Sequence, residues 1–365
     1  MVQGKVSDHF SNIVVGGGLC GAALAYELAK QGQQVLLVDA GTAGATRYSY
    51  GGIAYWAGNT PLTQALCRAA RSRHPQLSEE LGHNTQFRER ELLLFVEPGR
   101  DGAAIAQTYQ DCLEPPQVLT ADEAWEREPL LCKAGIGGAL AVNHGHVDPI
   151  AMTLAYQRAF ERLGGERYLG QVTGLGQQGE LWVRTGLVDG KTVTGEPVTE
   201  ETIIRGDRIL LSAGAWSRNL LAQAGIHLPL YFSHGEMIEL PRAALEQADL
   251  RMQRLVMPAE QVRFGLEAEA SQPGFASRWG EAEHPAQAGQ ELMPPVLDAG
   301  VIQFLDGRAA MGQISRLQAS LGTTANPSQS EAAMRQKLGK SCLRSPPSPA
   351  SGIQRGSPSA AMVCP

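Results

Sequence analysis

The chain has 365 residues, with 31 Lys and Arg against 37 Asp and Glu, for a formal net charge of −6. That length allows two domains or one large one, and that charge gives no electrostatic reason to expect nucleic acid as a partner. A hydrophobic content of 43% suits a packed globular enzyme, and no apolar run reaches bilayer length, which argues against a spanning helix and leaves peripheral membrane contact open. No secretory signal opens the chain, and its six cysteines are scattered without a C-x-x-C pair. A cytoplasmic protein with reduced thiols, without a disulfide framework or a metal site, is therefore expected.

The first element is a short apolar run, Ile13 to Val15, that reads as a buried parallel strand. Glycines follow at G-x-G-x-x-G spacing: Gly16, Gly18 and Gly21. A helical pattern comes next and stops at Gly32, and a second apolar run, Val35 to Val38, ends in Asp39. Such a turn leaves backbone N–H groups free at a helix N-terminus, where a pyrophosphate can sit, and the acid can accept from a ribose hydroxyl. The motif fits an adenine dinucleotide and by itself does not separate FAD from NAD.

The glycine-rich loop that follows, through Thr46, Ser49, Gly51 and Gly52, suits either a second phosphate contact or a flexible surface loop. Residues 62–82 read as a helix broken by Pro75, residues 86–97 as strands with Leu92–Val96 the clearest, and residues 120–131 as a short helix opened by a Thr120/Glu123 capping box. His144 and His146 have no third ligand at a convincing spacing, so a plain loop is favoured over a metal site. Asp148 and Pro149 mark a strong helix start, with the helix reaching about Leu163. A strand is expected near 168–175 and a β-meander over 179–205. A further buried strand should end at Ser212-Ala213-Gly214-Ala215-Trp216-Ser217, a second strand-to-helix turn. Residues 228–240 and 262–315 look strand-rich, with a D-G hairpin at Asp306-Gly307.

With both turns in place, the chain resembles the FAD-dependent amine and amino-acid oxidoreductases of the D-amino-acid oxidase type, which include D-amino-acid dehydrogenases, glycine oxidases and sarcosine oxidases. The matching features run in the family's order from residue 12 to about 316. They are the dinucleotide motif with Asp39, the Thr46–Gly52 loop, Val147-Asp148-Pro149, the Ala-Gly-Ala-Trp-Ser element, and the Asp306-Gly307-Arg308 hairpin. The resemblance implies an α/β fold: an FAD domain with a parallel sheet and helices (8–85 and 145–225), and an antiparallel-sheet substrate domain (86–144 and 226–315). It implies that Gly16, Gly18, Gly21 and Asp39 hold pyrophosphate and ribose, and that Thr46, Gly51 and Gly52 run toward the flavin ring. Backbone near Val172 would meet the adenine, and Gly214 would pass close to the cofactor. The implied reaction is oxidation of a C–N bond in an amino acid or related amine, with hydride transfer to flavin N5 and oxygen or a quinone as electron acceptor. A cationic grip on a substrate carboxylate is also implied, for which Arg316 and His234 rank first, while Arg308 reads as a hairpin arginine.

After a helix over 316–338, residues 339–365 are rich in proline and serine, hold no acid, and show no apolar periodicity. They read as a disordered tail without packed contacts to the FAD domain. That tail is either natural or the product of a frame shift, and the second reading is favoured because the break falls within a helical pattern. The family's C-terminal flavin contacts are then missing. The alternatives to amine oxidation are an FAD enzyme of another class or an inactive flavin-fold protein.

Overall fold

The computed structural model describes residues 9–185, 187–188, 191–192, 201–228, 230–272, 274–275, 291–322, 325–341 and 359–363. The first unit of the chain is β1 (His9–Val15), α1 (Leu19–Lys30) and β2 (Val35–Asp39). A 3-10 turn (Ala45–Tyr48), β3 (Gly52–Ile53), α2 (Pro61–Arg73) and α3 (Leu77–Glu80) follow. Then come β4 (Arg88–Val96), α4 (Gly102–Gln107), β5 (Gln117–Thr120), α5 (Ala121–Arg127) and β6 (Gly138–His146). After α6 (Pro149–Arg162) the chain adds β7 (Glu166–Leu169), β8 (Gln171–Leu175) and β9 (Glu180–Arg184). A separate two-stranded ribbon, β10 (Leu187–Val188) with β11 (Lys191–Thr192), precedes β12 (Glu201–Leu211). The remainder is α7 (Ser217–Gln223), β13 (Tyr231–Leu240), α8 (Arg242–Gln247), β14 (Leu255–Pro258), α9 (Val262–Ala270), β15 (Val296–Gln303), β16 (Ala309–Gln318), α10 (Pro327–Ser341) and β17 (Ser359–Val363).

These strands form two main sheets. The first has the order β7-β2-β1-β12-β9-β8, with β7, β2, β1 and β12 parallel and β9 and β8 antiparallel. Its parallel strands are apolar along their length because both faces are covered. Ala22, Ala25 and Tyr26 of α1 pack with Ala155, Tyr156, Ala159 and Phe160 of α6 over one face, while Phe10, Ile13, Leu36 and Val38 fill the other. Alanines that are fully or almost fully buried let the two helix backbones approach closely.

The second sheet has the order β17-β13-β16-β15-β14-β4-β6-β3, with β5 beside β6. Leu93, Phe95, Val301 and Met311 cover one face together with Leu245 of α8 and Met334 and Leu338 of α10. Leu92, Leu94, Ile302 and Phe304 cover the other. The strand Leu92–Val96 therefore belongs to this sheet and not beside Ile13–Val15. The Asp306-Gly307 hairpin is present, closed by Phe304 and Arg308, with Gly307 at φ +91°.

The structure corrects several expectations. Residues 262–270 are helical, because Asp298 accepts the N–H groups of Val262 and Arg263 and so stabilises the start of α9 from outside. The strands expected to end at Ile204 and to begin after Gly206 are one continuous strand, β12, since parallel pairing with β1 begins at Arg205 while β9 still pairs Glu201–Arg205. His144 and His146 lie on strand β6, not in a loop. The helix expected over 316–338 starts only at Pro327, because residues 316–318 end β16 by pairing with β13. In the tail expected to be disordered, α10 continues through Ser341, while Ser359–Val363 pairs antiparallel with β13 and lies against the turns Ala45–Tyr48 and Gly214–Trp216. The open edge of β13 offers unpaired backbone groups, and backbone pairing needs no apolar periodicity in the added strand. Residues 342–358 and 364–365 lie outside the described residues.

Candidate functional site

The glycine turn is shaped by backbone crowding. Gly16 has φ +105°, and a Cβ there would lie 2.3 Å from the carbonyl oxygen of Ser212. A Cβ on Gly21 would lie 1.8 Å from the carbonyl oxygen of Gly16, so α1 can start against the turn only with glycine at that position. Gly18 is the N-cap of α1 and supplies no side-chain cap, and the first turn holds no acid. The N-terminal N–H groups of α1 thus face a place suited to an anion. Thr46 reaches the same place: its hydroxyl oxygen accepts from Leu19 N at 3.3 Å.

Asp39 closes the other side. Its carboxylate accepts the N–H of Gly17 at 2.5 Å and of Gly41 at 2.8 Å. Gly170 N donates to the Asp39 carbonyl at 2.8 Å, which places Val172, on β8, just past this acid. The second turn meets the first directly, with Ser212 N donating to Val15 O at 2.7 Å. Gly214 stands at φ +56° with open space where a Cβ would be. The buried Gln157 of α6 donates from Nε2 to the carbonyl of Gly17 at 2.7 Å. The sequence reading missed this contact, although a polar residue on the packed side of an amphipathic helix demands a partner.

From Thr46 the loop runs to a cavity of about 410 Å³ between that loop and the second sheet. Tyr48, Tyr50, His144, Glu236, Arg263 and Asp298 are on its wall. Gly51 (φ +71°) and Val147 exchange a backbone hydrogen bond of 3.0 Å, which holds the loop against the start of α6. Gly52 pairs with His146, and a Cβ there would lie 2.8 Å from His144 Nε2. Tyr50 donates its hydroxyl to the Gly312 carbonyl, and burial pushes its phenol up. Burial also raises the Asp298 carboxyl, against the backbone N–H bonds it accepts from Arg263 and Val262.

The candidates Arg316 and His234 face each other as register partners on β16 and β13, and neither is on the cavity wall. Arg316 is engaged by Glu236 at 3.1 Å, Glu291 at 2.6 Å and Ser330 at 3.1 Å. Its charge is thereby matched behind the wall, and the guanidinium on the wall itself belongs to Arg263. Burial pushes His234 down. Arg308 is more than a hairpin residue: it pairs with Asp148, stacks on Phe304 at 3.7 Å and approaches Glu239, which also meets Arg47.

His144 and His146 are both buried. Burial holds His144 at about 4, and burial, together with the neighbouring Arg88, holds His146 at about 3. Unfolded, each would titrate near 6.5. The unfolded chain therefore binds protons first, so their contribution to stability is whole above about pH 6.5 and is lost as pH falls from there toward about 4 and 3. Each histidine adds a slope of at most about 1.4 kcal/mol per pH unit. Urea melts at stepped pH should show stability falling below about pH 6.5, and less steeply in a His146→Gln variant; an identical slope in that variant would contradict the assignment.

Glycine turn, acid-ended second strand, crossing second turn and an antiparallel sheet across a cavity together define a two-domain dinucleotide-binding flavoprotein architecture. The chain belongs to the FAD dependent oxidoreductase (DAO) family, whose sequence model matches residues 12–316. FAD is the cofactor, and the residues present fit it: a turn in which added Cβ atoms would collide, a helix start whose N-cap glycine supplies no side chain, and an acid at the end of β2 that accepts the turn's Gly17 N–H. The chain is 28% identical over 344 residues to 4-methylaminobutanoate oxidase (formaldehyde-forming) of Paenarthrobacter nicotinovorans, covering 85% of this chain and 40% of that protein. It is 28% identical over 254 residues to the glycine oxidase of Geobacillus kaustophilus, covering 64% of this chain and 62% of that protein. The crystal structure of glycine oxidase from Geobacillus kaustophilus shares the fold at a TM-score of 0.65 and 19% identity, over 98% of this chain and 83% of that one. The chain thus spans less than two thirds of the length of the first two relatives. Among the described residues, no helix is long and apolar enough to cross a membrane.

Proposed function

We propose that the protein oxidises the C–N bond of an amino acid or related amine. The observation that carries this reading is the cavity itself. It lies where the Thr46–Tyr50 loop leaves the phosphate turn, and it places a guanidinium, two tyrosines and a histidine around a space of about 410 Å³. Bound FAD supplies the hydride acceptor. The chain's own groups hold and orient. The glycine turn, fixed by Gln157, and Asp39 position pyrophosphate and ribose. Val172 backbone and Gly214 border the adenine and flavin sides. Arg263 offers a cationic contact for a substrate carboxylate, shared with Glu267 at 3.3 Å. On this reading residues 8–85 and 145–225 hold the cofactor, and residues 86–144 and 226–315 cover it.

The test is anaerobic mixing of the FAD-loaded protein with glycine, sarcosine, D-amino acids and 4-methylaminobutanoate, read as loss of visible flavin absorbance. Bleaching by at least one of these is expected, and reoxidation by oxygen or by a quinone analogue then identifies the acceptor. Bleaching by glycerol 3-phosphate, added as a non-amine control, and by none of the amines would move the protein to another class of flavoenzyme, and bleaching by none of them would remove these amines as its substrates.

A further inference from the structure

His144 is 4% exposed yet lies on the cavity wall. Trp56 Nε1 donates to its Nδ1 at 3.0 Å. An indole N–H can only donate, so Nδ1 is the acceptor and the imidazole proton sits on Nε2. Burial keeps the ring neutral, so this is its only N–H. That nitrogen has no hydrogen-bond partner among the described residues. It points to Gly52, where the missing side chain leaves the ring its room: a Cβ there would lie 2.8 Å from Nε2. A buried donor without an acceptor is unfavourable, and such groups in folded proteins have a partner or a purpose.

We propose that His144 Nε2–H donates a hydrogen bond to an oxygen of the ligand in this cavity, and that Trp56 positions it by fixing the tautomer. The acceptor is a carboxylate oxygen of the substrate or a carbonyl oxygen of the flavin. The inference rests on the cavity being the flavin and substrate site; it does not require that the substrate be an amine.

The experiment uses the full-length protein and two titrations without turnover: FAD binding to the apoprotein, and acetate or benzoate binding to the FAD-loaded protein, read from the flavin spectrum. His144→Phe is expected to weaken one of them tenfold or more, with the melting temperature checked alongside. Loss of carboxylate binding with FAD binding intact assigns the acceptor to substrate, and loss of FAD binding assigns it to the flavin. His144→Gln can accept from Trp56 through Oε1 and present an N–H toward the cavity, so it should restore most of the affected affinity. The affected constant should stay flat between about pH 6 and about pH 8, as for a neutral donor. Should the Phe variant fail to fold, Trp56→Phe carries the test, because it releases Nδ1 and lets the proton leave Nε2; a weakening of a few-fold is expected. Unchanged affinities in a folded His144→Phe protein, or equal losses in the Phe and Gln variants, would overturn the proposal. If the amine panel fails while these titrations behave as stated, only the choice of substrate is wrong.

Discussion

Gly18→Val should weaken FAD binding by about a hundredfold or more, about 3 kcal/mol, and leave the fold standing. Among the described residues, the space beside Gly18 is bounded only by the Thr46 hydroxyl, 3.3 Å from where a Cβ would be, and a threonine side chain can rotate by the few tenths of an ångström that a side chain at Gly18 requires. A pyrophosphate drawn to the start of α1 does not tolerate that side chain, because valine methyls would occupy its approach to the backbone N–H groups. Gly21→Val should behave in the opposite way. Its Cβ would meet the Gly16 carbonyl at 1.8 Å, and backbone cannot rotate aside. That variant should lose several kcal/mol of stability, beyond the ordinary cost of about 1–3 kcal/mol for overpacking a core. FAD titration by fluorescence, beside urea melts of the apoproteins, separates the two. Undiminished FAD affinity in Gly18→Val would remove the phosphate role from this turn.

The second large effect is expected at Asp148. This buried carboxylate caps α6 through Ala151 N at 2.8 Å and also pairs with Arg308. Asp148→Ala removes the cap and the closest of the carboxylates around Arg308, whose side chain is only 17% exposed, leaving Asp306 at 2.9 Å and Glu239 at 3.8 Å. Leaving one partner of a buried pair uncompensated costs about 3–5 kcal/mol, so with two carboxylates still beside Arg308 the pair's loss should fall below that range, added to about 1 kcal/mol for the cap. Asp148→Asn keeps an oxygen for the cap and loses the charge, so it should fall between Ala and wild type. Because Arg308 sits on the hairpin of the second sheet and Asp148 at the start of a helix on the first, the loss should also loosen how the two sheets are held together. Urea melts of the three proteins check this. Equal stability of Asn and Ala variants would assign the whole effect to the cap, and equal stability of Ala and wild type would remove the pair from the account. Asp306, at 2.9 Å from Arg308, and Glu239, at 3.8 Å, take up part of the guanidinium charge and so reduce the effect.

By itself the sequence determined what depends on local spacing. The unit from Ile13 to Asp39 is legible because a buried strand, a tight turn and a capped helix each need particular residues at fixed offsets. The same holds for the Thr120/Glu123 capping box and the Asp148-Pro149 helix start, both present as read. The tertiary structure alone decided what depends on partners far along the chain. Residues 262–270 are a helix because Asp298 satisfies its first N–H groups. Ser359–Val363 is a strand because β13 has an open edge, whatever the composition around it suggests. Arg316 was a reasonable grip for a carboxylate until Glu236 and Glu291 were found beside it, 80 and 25 residues away in the chain. His144 looked like a loop residue, and only the approach of Trp56, 88 residues distant, places the ring's one N–H on Nε2, turned to Gly52 on the cavity wall. Backbone geometry is written in neighbouring residues; the charge, tautomer and accessibility of a side chain are set by whatever the fold brings next to it.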